Sequence, residues 1–268
     1  MVRWRPPQRS PKPAMPAPTA DIIAFLDELL EIERFADLGP NGLQVPGAEH
    51  VTTIVTGVSA QRALFERAIA EHAQLVLAHH GILWDFEPRR IGPVQAMRLR
   101  LLLANDIALA GYHLPLDAHP LHGNNAILAE RLGAAGHKRA FGVKGEPIGT
   151  IAWFEPDGVP AADLFARIAD VTQREPLVFD AGRPTIRTLG IVSGAAANTL
   201  QEAIDLGLDA FVTGEPKEHV MAQAREAGIH FVAAGHYATE TFGIQRLGEL
   251  VAERFGVQHV FADIPNPV

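Results

Sequence analysis

The sequence predicts an α/β fold of two similar α/β lobes, with mostly parallel sheets covered by helices. Three observations predict it. Helical and strand-like hydrophobic periods alternate almost without a break from Asp21 onward. Single helices separate the strands, which implies right-handed crossovers between parallel neighbours. A Gly-rich stretch around Gly142–Gly149 interrupts the alternation midway, after which it resumes.

In order, Asp21 to Phe35 is an amphipathic helix with Ile22, Ile23, Phe25, Leu26, Leu29, Leu30 and Phe35 on one side. Val51–Val58 is a β-branched strand, Ala60–Ala73 a helix, and Gln74–Ala78 a short apolar strand. Helix Gln95–Asn105, strand Ile107–Tyr112 and helix Asn124–Gly133 follow, with Gly133 suited to a C-cap. Beyond the seam come strand Ile148–Phe154, helix Ala161–Gln173, strand Ile186–Val192 and helix Thr199–Leu206. Strand Asp209–Thr213, helix His219–Ala227, strand His230–Ala234, helix Thr241–Phe255 and strand Val257–Ala262 complete the pattern. The expected organisation is a disordered Pro-rich arm over 1–19, a first lobe over 20–141 and a second over 142–268, with the functional site between the lobes. Met15, just before the first helix, is a candidate start of the chain.

A chain of 268 residues buries roughly 70–75% of its unfolded surface, so a large core is available without staples. There is no Cys. Disulfides, iron–sulfur clusters and thiolate nucleophiles are excluded, and any metal falls to His, Asp and Glu. A net charge of −8 argues against a general nucleic-acid binder. No stretch has the length of a membrane span, and the arm lacks the apolar core of a secretory signal. The expected location is the cytoplasm.

Four strand ends carry polar residues out of proportion to their neighbours: His79-His80-Gly81, His113 through Asp117 to His119, Gly214-Glu215 through Glu218-His219, and Gly235-His236 through Thr239-Glu240. Ligands of open α/β sheets bind outside the carboxyl ends of strands. Imidazoles with carboxylates suit Zn, Fe(II), Mn or Co, whereas Ca and Mg prefer all-oxygen shells. His236 and Glu240 are four apart, on one face if a helix begins early, and Thr239 is placed to cap one. Adjacent side chains on an ideal strand point to opposite faces, so His79 and His80 do not easily share one ion; two ions sharing a carboxylate accommodate both. Isolated His72, His122, His137 and His259 read as ordinary surface or core histidines, and His113 and His119 as residues that support a site or are structural. The Gly190 to Gly194 turn has the look of an anion nest. Ser193 has no nearby base in sequence, so a serine hydrolase is poorly supported.

Asn41-Gly-Leu-Gln-Val45, Ala78-His-His-Gly81, His113-Leu-Pro-Leu-Asp117 with Gly123-Asn-Asn125, Thr213-Gly-Glu215 and Gly235-His-Tyr-Ala-Thr-Glu240 together resemble the Nif-three-like family, also known as GTP cyclohydrolase I type 2 homologues. The resemblance runs from about Asp21 to the C-terminus. It implies a toroidal homohexamer with two divalent metal ions per subunit (Zn, Fe or Mn). Carried over position by position, it implies His79, His80, Asp117, His236 and Glu240 as metal ligands, with Glu240 the bridge. It also implies a metal-dependent hydrolase that opens the imidazole ring of a guanine nucleotide and releases formate, with His113 or Glu215 protonating the departing nitrogen. Two other readings use the same residues: a non-catalytic metal-binding or metal-delivery protein, and a ring-shaped scaffold with structural metals. In all three, acid releases metal as the imidazoles take up protons, at roughly pH 6–7 for ordinary histidines.

Overall fold

A computed structural model describes residues 16–142 and 146–268. Apolar and β-branched runs supply the strands. The first four are β1 (Gly42–Val45), β2 (Thr53–Ser59), β3 (Leu75–His80) and β4 (Ala108–Gly111). Next come β5 (Gly136–Phe141), β6 (Gly149–Trp153), β7 (Leu177–Phe179), β8 (Thr188–Ile191), β9 (Ala210–Thr213), β10 (His230–Ala233) and β11 (Gln258–Phe261). Two main sheets result, ordered β11-β2-β3-β4-β1 and β7-β10-β9-β8-β6-β5. The first is parallel except for β1 on β4. The second is parallel only at its centre, where β9 lies between β8 and β10. The α/β class stands, and the central strands β2 and β3 are buried along almost their whole length, as parallel strands covered on both faces require.

The main helices are α1 (Thr19–Leu30), α2 (Arg62–Ala70), α3 (Pro93–Ala104), α4 (Leu114–Ala118), α5 (Asn124–Arg131), α6 (Ala161–Thr172), α7 (Leu200–Asp205), α8 (Val220–Ala227), α9 (His236–Thr239) and α10 (Thr241–Phe255). Ile22 and Leu26 of α1, with Leu247 and Val251 of α10, pack on Leu75 and Leu77 of β3. Leu64 and Phe65 of α2 and Leu102 of α3 join Val55 and Val76 in a second core. The six-stranded sheet is covered by α5 and α6, through Leu128, Leu164 and Ile168, and by α7 and α8, through Leu200 and Val220. Helix α10 ties the two halves together: Ile244 and Leu247 belong to the first core, while Phe242 belongs to the core under α5 and α6.

Several expectations change. Helix α1 stops at Leu30, because Glu31 turns left-handed at φ 50° and Ile32–Arg34 continues as a 3-10 turn. Strand β3 runs through both histidines. The division at 141/142 does not follow the sheets: β5 pairs antiparallel with β6 in the second sheet, while β11 returns to pair with β2 in the first. That membership depends on pairing partners remote in sequence, which local periodicity does not encode. Of the arm expected over 1–19, residues 1–15 lie outside the described residues, while Ala17–Pro18 pairs with His50–Val51 and Thr19 opens α1. Met15 and the centre of the Gly142–Gly149 seam lie outside the described residues. Among the described residues, no helix is long and apolar enough to cross a membrane.

Leu247, fully buried against the first sheet, tests the role of α10. Leu247→Ala is expected to cost about 2–5 kcal/mol in urea unfolding, the range for a buried Leu that leaves a cavity; a loss below about 1 kcal/mol contradicts this packing.

Candidate metal centre

The carboxyl ends of strands from both sheets meet at one place. His79 and His80 end β3. Tyr112 follows β4, and its carbonyl oxygen lies 2.9 Å from His79 Nδ1. Asp117 rides on the short helix α4, where its Oδ1 accepts hydrogen bonds from Asn124 Nδ2 and Ser193 Oγ, each at 2.8 Å. From the second sheet, β10 leads into Gly235 and then His236, while Glu240 marks the junction between α9 and α10.

These residues form three overlapping groups whose ligand atoms lie within 4.8 Å of one another: His79 with Asp117 and Glu240, His80 with His236 and Glu240, and His79 with His80 and His113. Glu240 presents a different oxygen to each of the first two. Its Oε1 is 3.6 Å from His79 Nε2, and its Oε2 is 3.2 Å from His80 Nε2 and 3.1 Å from His236 Nε2. His79 Nε2 is also 3.6 Å from Asp117 Oδ1. Separations of 3.6 Å are too long for hydrogen bonds. His79 Nε2 is thus without a partner, and His236 Nε2 and Glu240 Oε2, although 3.1 Å apart, are likewise buried polar atoms without an aligned hydrogen bond, an arrangement that is costly unless a further group satisfies them.

The outer ring nitrogens explain why the inner ones converge. Nδ1 of each imidazole is engaged on the far side: His79 with the Tyr112 carbonyl, His80 with Ser59 Oγ at 3.3 Å, and His236 with Glu215 Oε1 at 2.5 Å. Such bonds hold each ring so that Nε2 faces inward, the usual support behind metal-ligating histidines. Three inward nitrogens and two carboxylates, with no sulfur, fit a borderline divalent cation. The groups differ in access. His79 is sealed and Asp117 is 5% exposed, whereas the His80 and His236 side chains keep 20% and 26% of their surface open.

The five sequence-identified candidates thus come together, although adjacent strand positions supply two of them. Gly194, at φ 67°, lets the chain pass the cluster, because a Cβ there would run into Glu240 Oε1. His113 also reaches the cluster, with its ring centroid 5.2 Å from that of His79. Its Nδ1 is 2.7 Å from Asp37 Oδ1, while Asn41 Oδ1 accepts the His113 N–H. Glu215 stands differently from expectation: it backs His236 and is not on the wall of the main cavity, so it is poorly placed to protonate a substrate there. Thr239 bonds back to the carbonyls of Gly235 and His236 and caps no helix. In the supposed anion nest, the Ser193 N–H donates to Asn125 Oδ1 and the Gly194 N–H to Thr239 Oγ1. His119 lies apart, its Nδ1 accepting from the Leu121 and His122 N–H groups. Sequence reasoning missed the roles of Asp37, Asn125 and Ser193; only the polar turns around Asp37 and Asn125 signalled them.

Electrostatics inside the cluster are strongly coupled. Burial opposes charge on His79, but the Asp117 and Glu240 carboxylates outweigh it and raise its pKa to about 9. Burial likewise opposes charge on His236, but the adjacent Glu240 carboxylate, followed by Glu215, outweighs it and raises its pKa to about 9. His80 is lowered, chiefly by burial. Glu240 is held well below the usual carboxylate range, since the histidines around it outweigh the effect of its own burial.

The chain matches the family described as Duf34/NIF3 (NGG1p interacting factor 3) over residues 18–267. It is 43% identical over 256 residues to a Pseudomonas aeruginosa protein named GTP cyclohydrolase 1 type 2 homolog, covering 92% of this chain and 97% of the relative. A Vibrio cholerae protein of the same name is also 43% identical, over 253 residues, covering 91% and 97%. Among solved structures, protein ybgI, described as of unknown function, superposes with a TM-score of 0.87 at 40% identity, over 94% of this chain and all of that one.

The raised histidines set the sign of a pH effect. A cation needs the Nε2 lone pairs, so at pH 7 it must displace protons from His79 and His236, and its apparent affinity rises with pH until about 9. The competition therefore begins well above the pH 6–7 of ordinary histidines. Zinc titrated calorimetrically into chelator-treated protein, in buffers of different ionisation enthalpy, is expected to release protons at pH 7 and progressively fewer toward pH 9.5. Proton release that does not change across this range contradicts the assignment.

Proposed function

We propose that this chain, which belongs to the Duf34/NIF3 family, is a dinuclear divalent-metal protein that acts as a metal-dependent hydrolase. The observation that carries the reading is the division of ligands across Glu240: Oε1 faces His79, which is also close to Asp117, and Oε2 faces His80 and His236. In this reading His79, Asp117 and Glu240 hold one ion, and His80, His236 and Glu240 hold the other. When bound, such a pair supplies Lewis acidity and lowers the pKa of water toward neutrality.

The chain's own residues supply the rest. Glu215, Ser59 and the Tyr112 carbonyl keep the three imidazoles turned inward. Asn124 and Ser193 hold Asp117 in place. His113 lines the cavity, and with Nδ1 engaged by Asp37 its Nε2 is the ring nitrogen available for proton transfer. Hydrolysis of a ring C–N bond adds the water oxygen to carbon and needs a proton on the departing nitrogen, so His113 is the general acid. The relatives' name, GTP cyclohydrolase 1 type 2 homolog, supports a nitrogen heterocycle as the reacting group.

The assembly in this reading is a toroidal homohexamer. It is supported by α3, an apolar-rich helix in which only Leu102 is buried and Val94 is exposed, and by exposed Phe86 and Ile91 just before it. A helix of that composition ordinarily has a partner. A second reading, metal delivery without turnover, is favoured by the openness of the His80–His236 group, which suits exchange of one ion.

Elemental analysis of the purified assembly, with its mass read by light scattering, is expected to find two metal ions per chain and a sixfold mass. Glu240→Gln is expected to retain at most one ion. His113→Asn is expected to keep both and lose about 10²–10⁴-fold in formate release from guanine compounds. One ion per chain in wild type, or full occupancy in Glu240→Gln, removes the dinuclear reading. Two ions without any turnover, with one passing readily to a chelator, leaves metal delivery.

A further inference from the structure

We propose that Gln44, on the edge strand β1, is a positioning residue whose side-chain amide ties the turn after His80 to the turn that holds His113. The inference rests on the metal reading above for what those two histidines do. The backbone explains how a strand residue comes to serve them. In the antiparallel pairing of β1 with β4, Leu43 faces Ala110 and Val45 faces Leu109, so Gln44 is an extra residue without a partner of its own. A bulge of this kind bends the strand and re-aims a side chain. Burial records the change: Gly42 and Val45, three positions apart, are both buried, where an unbroken strand would alternate in twos.

The amide lies across two glycines at the carboxyl ends of β3 and β4. Gly81 follows His80, and a Cβ on it would run into the Gln44 amide, which supplies its three nearest atoms. Gly111 ends β4, and a Cβ on it would lie 2.6 Å from Gln44 Nε2. Both polar atoms of the amide are used. Oε1 accepts the Ile82 N–H at 2.9 Å, and Nε2 donates to the Pro40 carbonyl at 2.8 Å. Ile82 stands two residues past His80, in the turn where the Gly81 carbonyl accepts from Trp84 Nε1 at 3.2 Å. Pro40 lies between Asp37 and Asn41, whose side chains hold the ring and the backbone N–H of His113. One side chain therefore joins the supports of the two histidines.

An amide so placed fixes His80 more than His79. His79 has its Nδ1 on the Tyr112 carbonyl, and Tyr112 is held independently, by its N–H to the Ala78 carbonyl and its hydroxyl to Asp27. His80 adjoins Gly81 directly, and its contact with Ser59 at 3.3 Å is the longest of the three Nδ1 contacts. Release of the turn would therefore loosen the ion shared by His80, His236 and Glu240 before the one beside His79 and Asp117. Trp84 reports on the same turn without any metal, since its Nε1 bonds Gly81 and its ring meets His113 edge-on at 5.1 Å.

Gln44→Met keeps bulk over the two glycines and removes both hydrogen bonds. Zinc binding to full-length, chelator-treated protein is followed by competition with a chromogenic chelator, and His236→Ala identifies which step belongs to which ion. Gln44→Met is expected to weaken the His80–His236 ion at least about tenfold and the other by no more than about threefold, as loss of support behind one ligand does. In zinc-free protein, Trp84 fluorescence, with Trp84→Phe as the blank, is expected to become more open to acrylamide quenching while the unfolding temperature changes little. Gly111→Ala, which expels the amide, is expected to weaken the same ion, but to add little in Gln44→Ala protein, where the nearest remaining atom is Gly81 Cα at 3.3 Å. An unmoved His80–His236 affinity, both ions weakened alike, or unmoved Trp84 quenching overturns the proposal. Fewer than two zinc ions in wild type, with Trp84 still released by Gln44→Met, overturns the metal reading and leaves the joined turns standing.

Discussion

A buried carboxylate holds this architecture to its site. Glu240 is 2% exposed, and an isolated charge at that depth would be severely penalised. The chain answers with three imidazoles from two different sheets, and their combined effect keeps Glu240 ionised. Those imidazoles reach Glu240 only if β3 of the first sheet and β10 of the second end at the same place. Helix α10, which begins just after Glu240, secures that convergence by burying its apolar residues against both halves. Fold and site are therefore one problem: the packing of α10 sets the position of the carboxylate, and the carboxylate demands the histidines.

Support behind the ligands follows the same logic in a more distributed form. Asp117 is held by Asn124 and Ser193, and Asn124 Oδ1 in turn accepts the Gly243 N–H of α10. Asn125 spans from the Ile148 carbonyl to the Ser193 N–H. These buried amides join α5 to both the second sheet and α10, so each ligand is braced by residues from another element. A fully satisfied polar network of this kind confers a unique geometry, whereas a partly satisfied one is costly. Within this site the atoms left without partners, His79 Nε2, His236 Nε2 and Glu240 Oε2, are those that face the centre of the cluster.

Much of this was legible in the sequence because the residues concerned are out of place anywhere else. Two adjacent histidines at the end of an apolar strand, and a His and Glu four apart after another, announce a site by the cost of burying them. The alternation of periods likewise exposed the α/β class, which the family match and the fold of its relatives bear out. What stayed hidden depends on contacts remote in sequence. The strands β1 and β5 are too polar or Gly-rich to stand out, and the return of β11 to β2 across the whole chain has no local signature. Glu215 was visible as a polar residue at a strand end, but only the fold places it behind His236 instead of facing the cavity. Ser193 looked inert as a nucleophile, and its actual task is to hold Asp117.

In the proposed dinuclear reading, Glu240 would present one oxygen to each of two cations. Anomalous diffraction from crystals grown with zinc, collected on either side of the zinc edge, tests it directly. The account predicts two peaks per chain on opposite sides of the Glu240 carboxylate, one beside His79 and Asp117 and the other beside His80 and His236. A single peak, or peaks that leave Glu240 unligated, contradicts it.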